Sequence, residues 1–283
     1  MKTGLILGFF DGIHAGHKAV IESALNYAEK TVLITFKESP ALYFGKKAEY
    51  IMTREDSINK LKQIGVNEVI ELDFPKIASM TAQEYLEYLI KEYSPVSIST
   101  GFNHSFGLEK AGTPEFLEQN QDKYGYKYFC IPPVNQNGKV ISSTEIRKMI
   151  AQGEINGAKE LLGDNFFVKG KVIHGKHLGQ TIGFPTANIN YPEQIVKLPF
   201  GVYSSKVTLP DNRSYKAVTN WGIKPTVNNT EPVLETYLFD FNEDIYDKEI
   251  RIEFLKYIRK ENKFRSVDEL KIQIKKDIKA CLE

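Results

Sequence analysis

The sequence is poor in cysteine and in long apolar runs. It contains only Cys130 and Cys281, too few for a disulfide framework and too far apart for a redox motif. No stretch approaches the ~20 apolar residues of a membrane span, and the amino terminus has only a short apolar run where a signal peptide would need a longer one. We therefore expect a cytoplasmic protein without a membrane partner.

An excess of charge of either sign is also lacking. Lys and Arg number 37 against 36 Asp and Glu, which argues against a nucleic-acid partner. Two common nucleotide-binding motifs are absent as well. No G-x-G-x-x-G occurs, and residues 107–113 have Walker-like glycine spacing, but Thr113 directly follows Gly112 without the lysine that the motif has between them. Any phosphate site must therefore be of another kind.

A glycine- and histidine-rich stretch, residues 8–17 (GFFDGIHAGH), is present near the amino terminus. It follows an apolar strand-like run, Leu5-Ile6-Leu7, and precedes a helical apolar spacing over residues 18–30. Such a strand-to-helix turn exposes backbone N–H groups at the positive end of a helix dipole, which suits phosphate. His14 and His17 are three residues apart and would share a face. The alternative is a solvated loop with two incidental histidines.

The first half alternates between strand and helix patterns. Such alternation predicts a mainly parallel sheet, with a ligand at the carboxyl ends of its strands, where residues 8–17 would lie. Helices are predicted at residues 54–65, after the capping box at residues 81–84, and from Thr113-Pro114. The further strands are expected at residues 31–36, 66–72, 96–100 and 126–131.

Residues 142–147 (SSTEIR) begin another predicted helix. Ser142 and Glu145 have the spacing of a capping box, so one interpretation is simply a well-capped helix. The other is a second phosphate clamp, formed by the hydroxyl-rich helix start of Ser142, Ser143 and Thr144 together with Arg147. The two interpretations are compatible.

The second half has a different periodicity. After a short helix over residues 154–162, stopped by Gly163, the pattern predicts short strands without helices until Ser266, as in a small antiparallel barrel. A closing helix would then cover the barrel with one apolar face, formed by Val267, Leu270, Ile274 and Ile278. This gives two domains, 1–163 and 164–283. The barrel strands are expected at residues 168–173, 202–209, 215–221, 235–239 and 249–255.

A second glycine-rich stretch lies in the barrel half, at residues 175–188. Gly175, Gly179 and Gly183 recur every four residues and would let the backbone approach phosphates closely. Thr186 and Asn188 offer two uncharged oxygens suited to Mg²⁺ that is also held by ATP phosphates. A plain glycine-rich turn is the alternative.

These motifs resemble known ones. Residues 8–17 resemble the H-x-G-H signature of the α/β nucleotidylyltransferases, in the longer form typical of prokaryotic FAD synthetases, with Phe9 where Asn is common. Residues 142–147 resemble the S-S-T-x-I-R element of that family. The resemblance implies a Rossmann-like domain in which the loops at residues 37–40 and 101–107, including Asn103, lie on the flavin and nucleoside side. Contacts with ATP phosphates are implied for Gly8, Phe9, His14, Gly16 and His17.

The second half is similar to riboflavin kinases. Residues 183–188 (GFPTAN) match their signature, and residues 201–203, 220–222 and 224–227 follow in the family's order. The resemblance implies that Glu235 is the catalytic base, that Thr186 and Asn188 hold Mg²⁺, and that Arg259 and Phe264 belong to the segment that closes over flavin.

Together, the resemblances imply a bifunctional enzyme. The carboxyl-terminal barrel would phosphorylate riboflavin to FMN with MgATP, and the amino-terminal domain would join FMN to AMP, giving FAD and pyrophosphate. Two alternatives are a riboflavin kinase with a degenerate transferase domain and a non-catalytic flavin-binding regulator. The joint presence of Thr186, Asn188 and Glu235 argues against the regulator, since binding alone needs no such set.

Overall fold

The computed structural model describes residues 2–136, 138–175, 178–223 and 232–283. The segment at residues 224–227, expected to resemble a kinase element, lies outside these residues. The chain forms two compact units, Met1–Glu145 and Ile146–Glu283. Within the described ranges, no helix is long and apolar enough to cross a membrane.

The first unit is built on a five-stranded parallel sheet in the order β3-β2-β1-β4-β5, as the alternating pattern predicted. The order reverses at β1, so the crevice beside the carboxyl end of this strand is the expected ligand position. The strands are β1 (Thr3–Leu7), β2 (Lys30–Phe36), β3 (Glu68–Leu72), β4 (Ser97–Gly101) and β5 (Lys127–Ile131). The helices are α1 (Ala15–Leu25), α2 (Pro40–Tyr43), α3 (Arg54–Ile64), α4 (Phe74–Ile77), α5 (Ala82–Tyr93) and α6 (Pro114–Tyr124). A hairpin of β6 (Asn135–Gln136) and β7 (Lys139–Val140) precedes α7 (Ser143–Gln152).

Both faces of this sheet are buried. Side chains alternate along a strand, so Leu5 and Leu7 enter one apolar cluster while Ile6 enters the other. Leu86 of α5 packs in the first cluster and Ile21 of α1 in the second. This arrangement explains why the strands appear in the sequence as nearly continuous apolar runs.

Helix α1 begins earlier and ends earlier than the apolar spacing predicted. The expectation was residues 18–30, whereas the helix spans Ala15–Leu25. It begins at Ala15 because the His14 side chain caps it, and the chain must leave it early because Lys30 already pairs with Thr3 in the sheet. The predicted caps of later helices are confirmed, including the reciprocal box between Thr81 and Glu84.

The second unit is an antiparallel six-stranded sheet in the order β8-β13-β10-β11-β12-β9. A bridge between Ile173 and Asn188 joins its two edges, which curls the sheet into the predicted barrel. The strands are β8 (Phe167–Lys171), β9 (Ala187–Asn190), β10 (Gly201–Thr208), β11 (Ser214–Ile223), β12 (Pro232–Leu238) and β13 (Glu249–Arg259), with helices α8 (Ile155–Leu162), α9 (Leu178–Thr181) and α10 (Val267–Leu282).

Three features of this unit correct the sequence prediction. The one-turn helix α9 lies in a region expected to have no helix, and the four-residue strand β9 was not predicted. Both are too short to show a periodicity. Helix α10 packs on the barrel as expected, but Val267, assigned to its buried face, is 49% exposed because it lies in the first turn.

Candidate active sites

The two histidines of residues 8–17 meet at the start of α1. Nδ1 of His14 accepts the backbone N–H of His17 at 3.4 Å, so His14 caps the helix. The two rings stack with centroids 3.7 Å apart and planes at 17°. A Cβ on Gly16 would lie 3.2 Å from the His14 ring, so glycine there leaves room for this ring. Both imidazoles therefore lie at the positive end of the helix dipole, where anions bind.

The environment keeps both rings neutral in the free protein. Burial lowers the pKa of His14 to about 4. Burial and, to a lesser degree, the neighbouring His14 lower the pKa of His17 well below its ordinary value. Because Nδ1 of His14 accepts a hydrogen bond, its proton is on Nε2, which can donate to a phosphate oxygen. Nδ1 of His17 is buried without a hydrogen-bond partner.

This environment predicts an unusual titration. In proton NMR, the C2 proton of His14 should titrate with a midpoint near 4, where an exposed imidazole titrates near 6.5. The unfolded chain takes up this proton at a higher pH than the folded protein does. His14 therefore lowers the stability of the folded protein as the pH falls from about 6.5 to about 4. The variant His14→Gln assigns the resonance. A midpoint near 6.5 would contradict the burial of the ring.

The turn before α1 is held by residues far along the chain. Phe10 and Ile13 adopt positive φ angles of 58° and 48°, which are rare for such side chains and need support from their surroundings. The Ile51 N–H donates to Oδ1 of buried Asp11 at 2.8 Å, and the Ser57 hydroxyl donates to the carbonyl of Phe10 at 3.1 Å. These two hydrogen bonds hold the backbone of the turn that the sequence predicts to bind phosphate.

Phe9 is also held in place. Its carbonyl accepts from Nη1 of Arg54 and from the Thr35 hydroxyl, both at 3.3 Å, and the Arg54 guanidinium lies 5.3 Å from its ring centroid. Arg54 is in turn paired with Glu71 at 3.0 Å. A phenyl ring has no hydrogen-bonding atom, so Phe9 could meet phosphate only through its backbone. Gly8 precedes it at the end of β1, and a Cβ there would lie 2.7 Å from the Phe10 ring.

One hydrogen bond links the predicted second phosphate clamp to the turn before α1. The Ser143 hydroxyl donates to the carbonyl of Asp11 at 2.8 Å, while the Ser142 hydroxyl accepts the Glu145 N–H at 3.2 Å and caps α7. A hydroxyl has one proton to donate, so Ser142 can still offer its proton to a phosphate. Thr144 follows in the first turn of α7, and Arg147 lies one turn further on, in the second unit.

The expected flavin side of the first unit carries a cluster of aromatic rings, of which Tyr43 and Phe44 are exposed. Tyr43 ends α2 and Phe74 begins α4, so both lie past the carboxyl ends of neighbouring strands, with ring centroids 5.4 Å apart. Phe44 joins them and is 64% exposed. Asn103 follows β4 and is exposed, while Nε2 of its neighbour His104 is buried without a hydrogen-bond partner.

The second unit contains a cleft of about 880 Å³. It brings together most of the residues that the sequence assigned to the kinase-like motifs. Its lining includes Thr186, Asn188, Glu235, Arg259 and Phe264. This size fits a small-molecule substrate.

Strand register places three polar side chains in a row along the wall of this cleft. Glu235 of β12 is opposite Asn188 of β9 on one side and opposite Asn220 of β11 on the other. Residues directly opposite one another share a face, so all three point into the cleft that they line. Glu235 is half-buried, and Asn188 is only 5% exposed.

One side-chain oxygen in this row has no hydrogen-bond partner and could bind a cation. Nδ2 of Asn188 donates to the Thr186 carbonyl at 3.2 Å, whereas Oδ1 of Asn188 is buried without a hydrogen-bond partner. A Cβ on Gly175 would lie 2.5 Å from Nδ2 of Asn188, so glycine is needed where the chain crosses this amide. Gly179 lies in α9, and Gly183 follows it with a φ of 86°. An amide oxygen of this kind suits Mg²⁺.

The two units match different family models. Residues 1–145 match the model described as FAD synthetase, and residues 162–283 match the model described as Riboflavin kinase. A relative from Haemophilus influenzae, named bifunctional riboflavin kinase/FMN adenylyltransferase, is 35% identical over 98% of this chain and 92% of its own. The relative of that name from Bacillus subtilis is also 35% identical, over 98% of this chain and 90% of its own.

The chain belongs to the bifunctional riboflavin kinase/FMN adenylyltransferase family. It is an enzyme that phosphorylates riboflavin to FMN and adenylylates FMN to FAD, with ATP as the second substrate of both reactions. A crystal structure from Streptococcus pneumoniae has the same fold as this family member, with a TM-score of 0.91 and 35% identity, covering 100% of this chain and 94% of that one. That protein is described as a macrolide-efflux protein.

Sequence reasoning missed several residues that shape the two candidate sites. Asp11 and Arg54 hold the phosphate turn, and Asn220 completes the polar row beside Glu235. The signal that could have found Asp11 and Asn220 is their position inside motifs that the sequence already showed. Arg54 had none, because its contact with Phe9 spans 45 residues.

Proposed function

We propose that riboflavin is phosphorylated in the cleft of the second unit with Glu235 as general base, and that FMN is adenylylated where His14 and His17 meet. The observation that carries the first part is the register of Glu235 beside Asn188, whose buried Oδ1 lacks a hydrogen-bond partner. We assign the transferase to residues 1–163 and the kinase to residues 164–283. A cytoplasmic location remains a prediction from the sequence.

In the kinase reaction, Glu235 takes the proton of the terminal ribityl hydroxyl. The oxygen of this hydroxyl bonds to the γ-phosphorus of ATP while the bond from that phosphorus to the bridging oxygen breaks, so ADP leaves. Thr186 and Asn188 would hold Mg²⁺ through their side-chain oxygens, and Gly175, Gly179 and Gly183 would let backbone approach the phosphates. When bound, Mg²⁺ neutralises charge on the transferred phosphoryl group. Arg259 and Phe264, which line the same cleft, would contact flavin.

In the transferase reaction, a phosphate oxygen of FMN attacks the α-phosphorus of ATP and pyrophosphate leaves. This reaction needs no covalent intermediate with the protein, since positioning and charge stabilisation suffice. His14 and His17 would donate hydrogen bonds to the phosphates at the start of α1. Gly8, Gly16 and the Phe9 backbone would line the same site.

Residues 142–147 complete the proposed phosphate site. Ser142, whose hydroxyl proton is available, Thr144 and Arg147 would act as the second clamp. Ser143, assigned to phosphate from the sequence, would contribute by joining this element to the Asp11 carbonyl, to which it donates its proton.

For FMN, we propose the clustered rings of Tyr43, Phe44 and Phe74 as a stacking surface, with Asn103 as a polar contact; the first two rings are exposed and Phe74 is half-buried. Planar aromatic ligands stack favourably on such rings. Their position past the carboxyl ends of β2 and β3, at the same edge of the sheet as residues 8–17, supports this assignment.

One incubation tests both parts. The protein is mixed with riboflavin, ATP and Mg²⁺, and riboflavin, FMN and FAD are separated chromatographically. We expect FMN to appear first and FAD to follow. A second incubation with supplied FMN measures the transferase alone, by the release of pyrophosphate. FMN without FAD in both incubations would contradict the transferase site, and no FMN from riboflavin would contradict the kinase site.

The metal assignment predicts a specific defect in Thr186→Ala and Asn188→Ala. Each variant loses one candidate Mg²⁺ oxygen, so riboflavin phosphorylation at low Mg²⁺ should fall by about one to two orders of magnitude, the range seen when one partner of a metal site is lost. Raising Mg²⁺ should restore part of the rate. Asn190→Ala is the matched control, because Asn190 is an exposed residue of β9, the strand that contains Asn188. Unchanged activity and Mg²⁺ dependence would make the segment structural only.

A further inference from the structure

The lining of the kinase cleft includes a tightly held charged pair. Arg259 ends β13, and Asp277 lies on α10, the helix that packs on the barrel. Nε of Arg259 donates to Oδ1 of Asp277 at 2.9 Å, and one Nη donates to Oδ2 at 2.7 Å. A bidentate pair of this kind fixes the plane of the guanidinium as well as its position.

Two further hydrogen bonds hold this pair. The other Nη of Arg259 donates to the carbonyl of Lys260 at 2.9 Å. On the helix, Nε2 of Gln273 donates to Oδ1 of Asp277 at 2.8 Å, one turn before the carboxylate. Asp277 is only 4% exposed, so its carboxylate has little freedom to move. All three nitrogens of the guanidinium therefore donate hydrogen bonds.

Stability alone does not explain a pair of this kind. Removing two charges from water costs about as much as their attraction returns, and apolar replacements are often as stable. Yet the Arg259 side chain is 20% exposed, lines the cleft, and lies 5.8 Å from the centroid of the Phe264 ring. The pair thus presents one flat, cationic surface to the space that a planar ring would occupy.

We infer that Asp277 is a positioning residue for riboflavin. It orients the Arg259 guanidinium against the isoalloxazine ring, and Gln273 in turn orients Asp277. This role rests on the proposed flavin contact of Arg259. It concerns binding of the flavin and not the transfer of the phosphoryl group, for which Glu235 is the proposed base.

The test compares Asp277→Asn with Asp268→Asn. Both remove a carboxylate from α10, but Asp268 is exposed in the first turn and lies outside the kinase cleft. In Asp277→Asn we expect the KM for riboflavin to rise about tenfold, with kcat and the KM for ATP changed less than about twofold, since a misdirected binding group weakens ground-state and transition-state binding alike. Asp268→Asn should match the parent. Gln273→Met should give a smaller rise of the same kind.

Arg259→Met separates the flavin contact of Arg259 from the positioning role of Asp277. If Arg259 contacts flavin, this variant alone raises the KM for riboflavin, and adding Asp277→Asn raises it no further, because the two residues act as one unit. An unchanged KM in Arg259→Met would overturn the proposed flavin contact. A raised KM in Arg259→Met with an unchanged KM in Asp277→Asn would overturn the positioning role alone, as would equal, independent effects of the two substitutions.

Folding is checked in the same variants. Trp221 is the single tryptophan, is buried and lies in the second unit, so its fluorescence reports unfolding of the kinase domain. Adenylylation of supplied FMN should stay at the parent rate in every variant. If Asp277→Asn merely loosened the fold, kcat would fall together with the unfolding midpoint, and that result would overturn the inference.

Discussion

Glu235→Gln is expected to reduce riboflavin phosphorylation by about two to four orders of magnitude, the range for loss of a general base, and to leave the adenylylation of supplied FMN unchanged. Glutamine keeps the shape of the side chain but cannot accept the hydroxyl proton. Its neighbours Asn188 and Asn220, opposite it on the adjoining strands, cannot accept that proton either, because a neutral amide is not a base at this pH.

The measurement is the rate of FMN formation from riboflavin and MgATP, followed chromatographically. Glu249→Gln is the matched control, because Glu249 is an exposed carboxylate of β13 outside the cleft. The binding of riboflavin should survive in Glu235→Gln, since the proposed flavin contacts, Arg259 and Phe264, are left unchanged. Near-normal turnover in this variant would remove Glu235 from its role.

His17→Ala is expected to lower the rate of FAD formation from FMN and ATP by about two to three orders of magnitude, because one charge-stabilising donor is lost at the reacting phosphates. His14→Ala should lose a similar factor and also about 1 kcal/mol of stability, since it removes the cap of α1 as well. Riboflavin phosphorylation by the same molecules should be unaffected.

The assay is FMN-dependent release of pyrophosphate from ATP. Glu22→Gln changes an exposed residue of the same helix and should behave as the parent. If His17→Ala retained the parent rate, the phosphates would have to lie elsewhere than at the start of α1. Loss of both activities together would instead indicate a folding defect.

The sequence alone determined the class of each unit and the motifs of both sites. Alternation of strands and helices, the box of Thr81 and Glu84, and the proline at the start of α6 depend on contacts within a few residues, so they can be seen in the sequence. For the same reason, His14 and His17 could be placed on one face of a helix start before the helix itself was known.

Only the tertiary structure decided which distant residues complete the sites. Nothing local indicates that Asn188 pairs with Glu235, 47 residues further on, or that Ser143 donates to the carbonyl of Asp11, 132 residues before it. The packed fold likewise brings Asp277 of α10 to Arg259 at the end of β13. Strand register and side-chain partners across such separations follow from how whole elements pack, because each local pattern is compatible with many pairings and only the packed fold selects one.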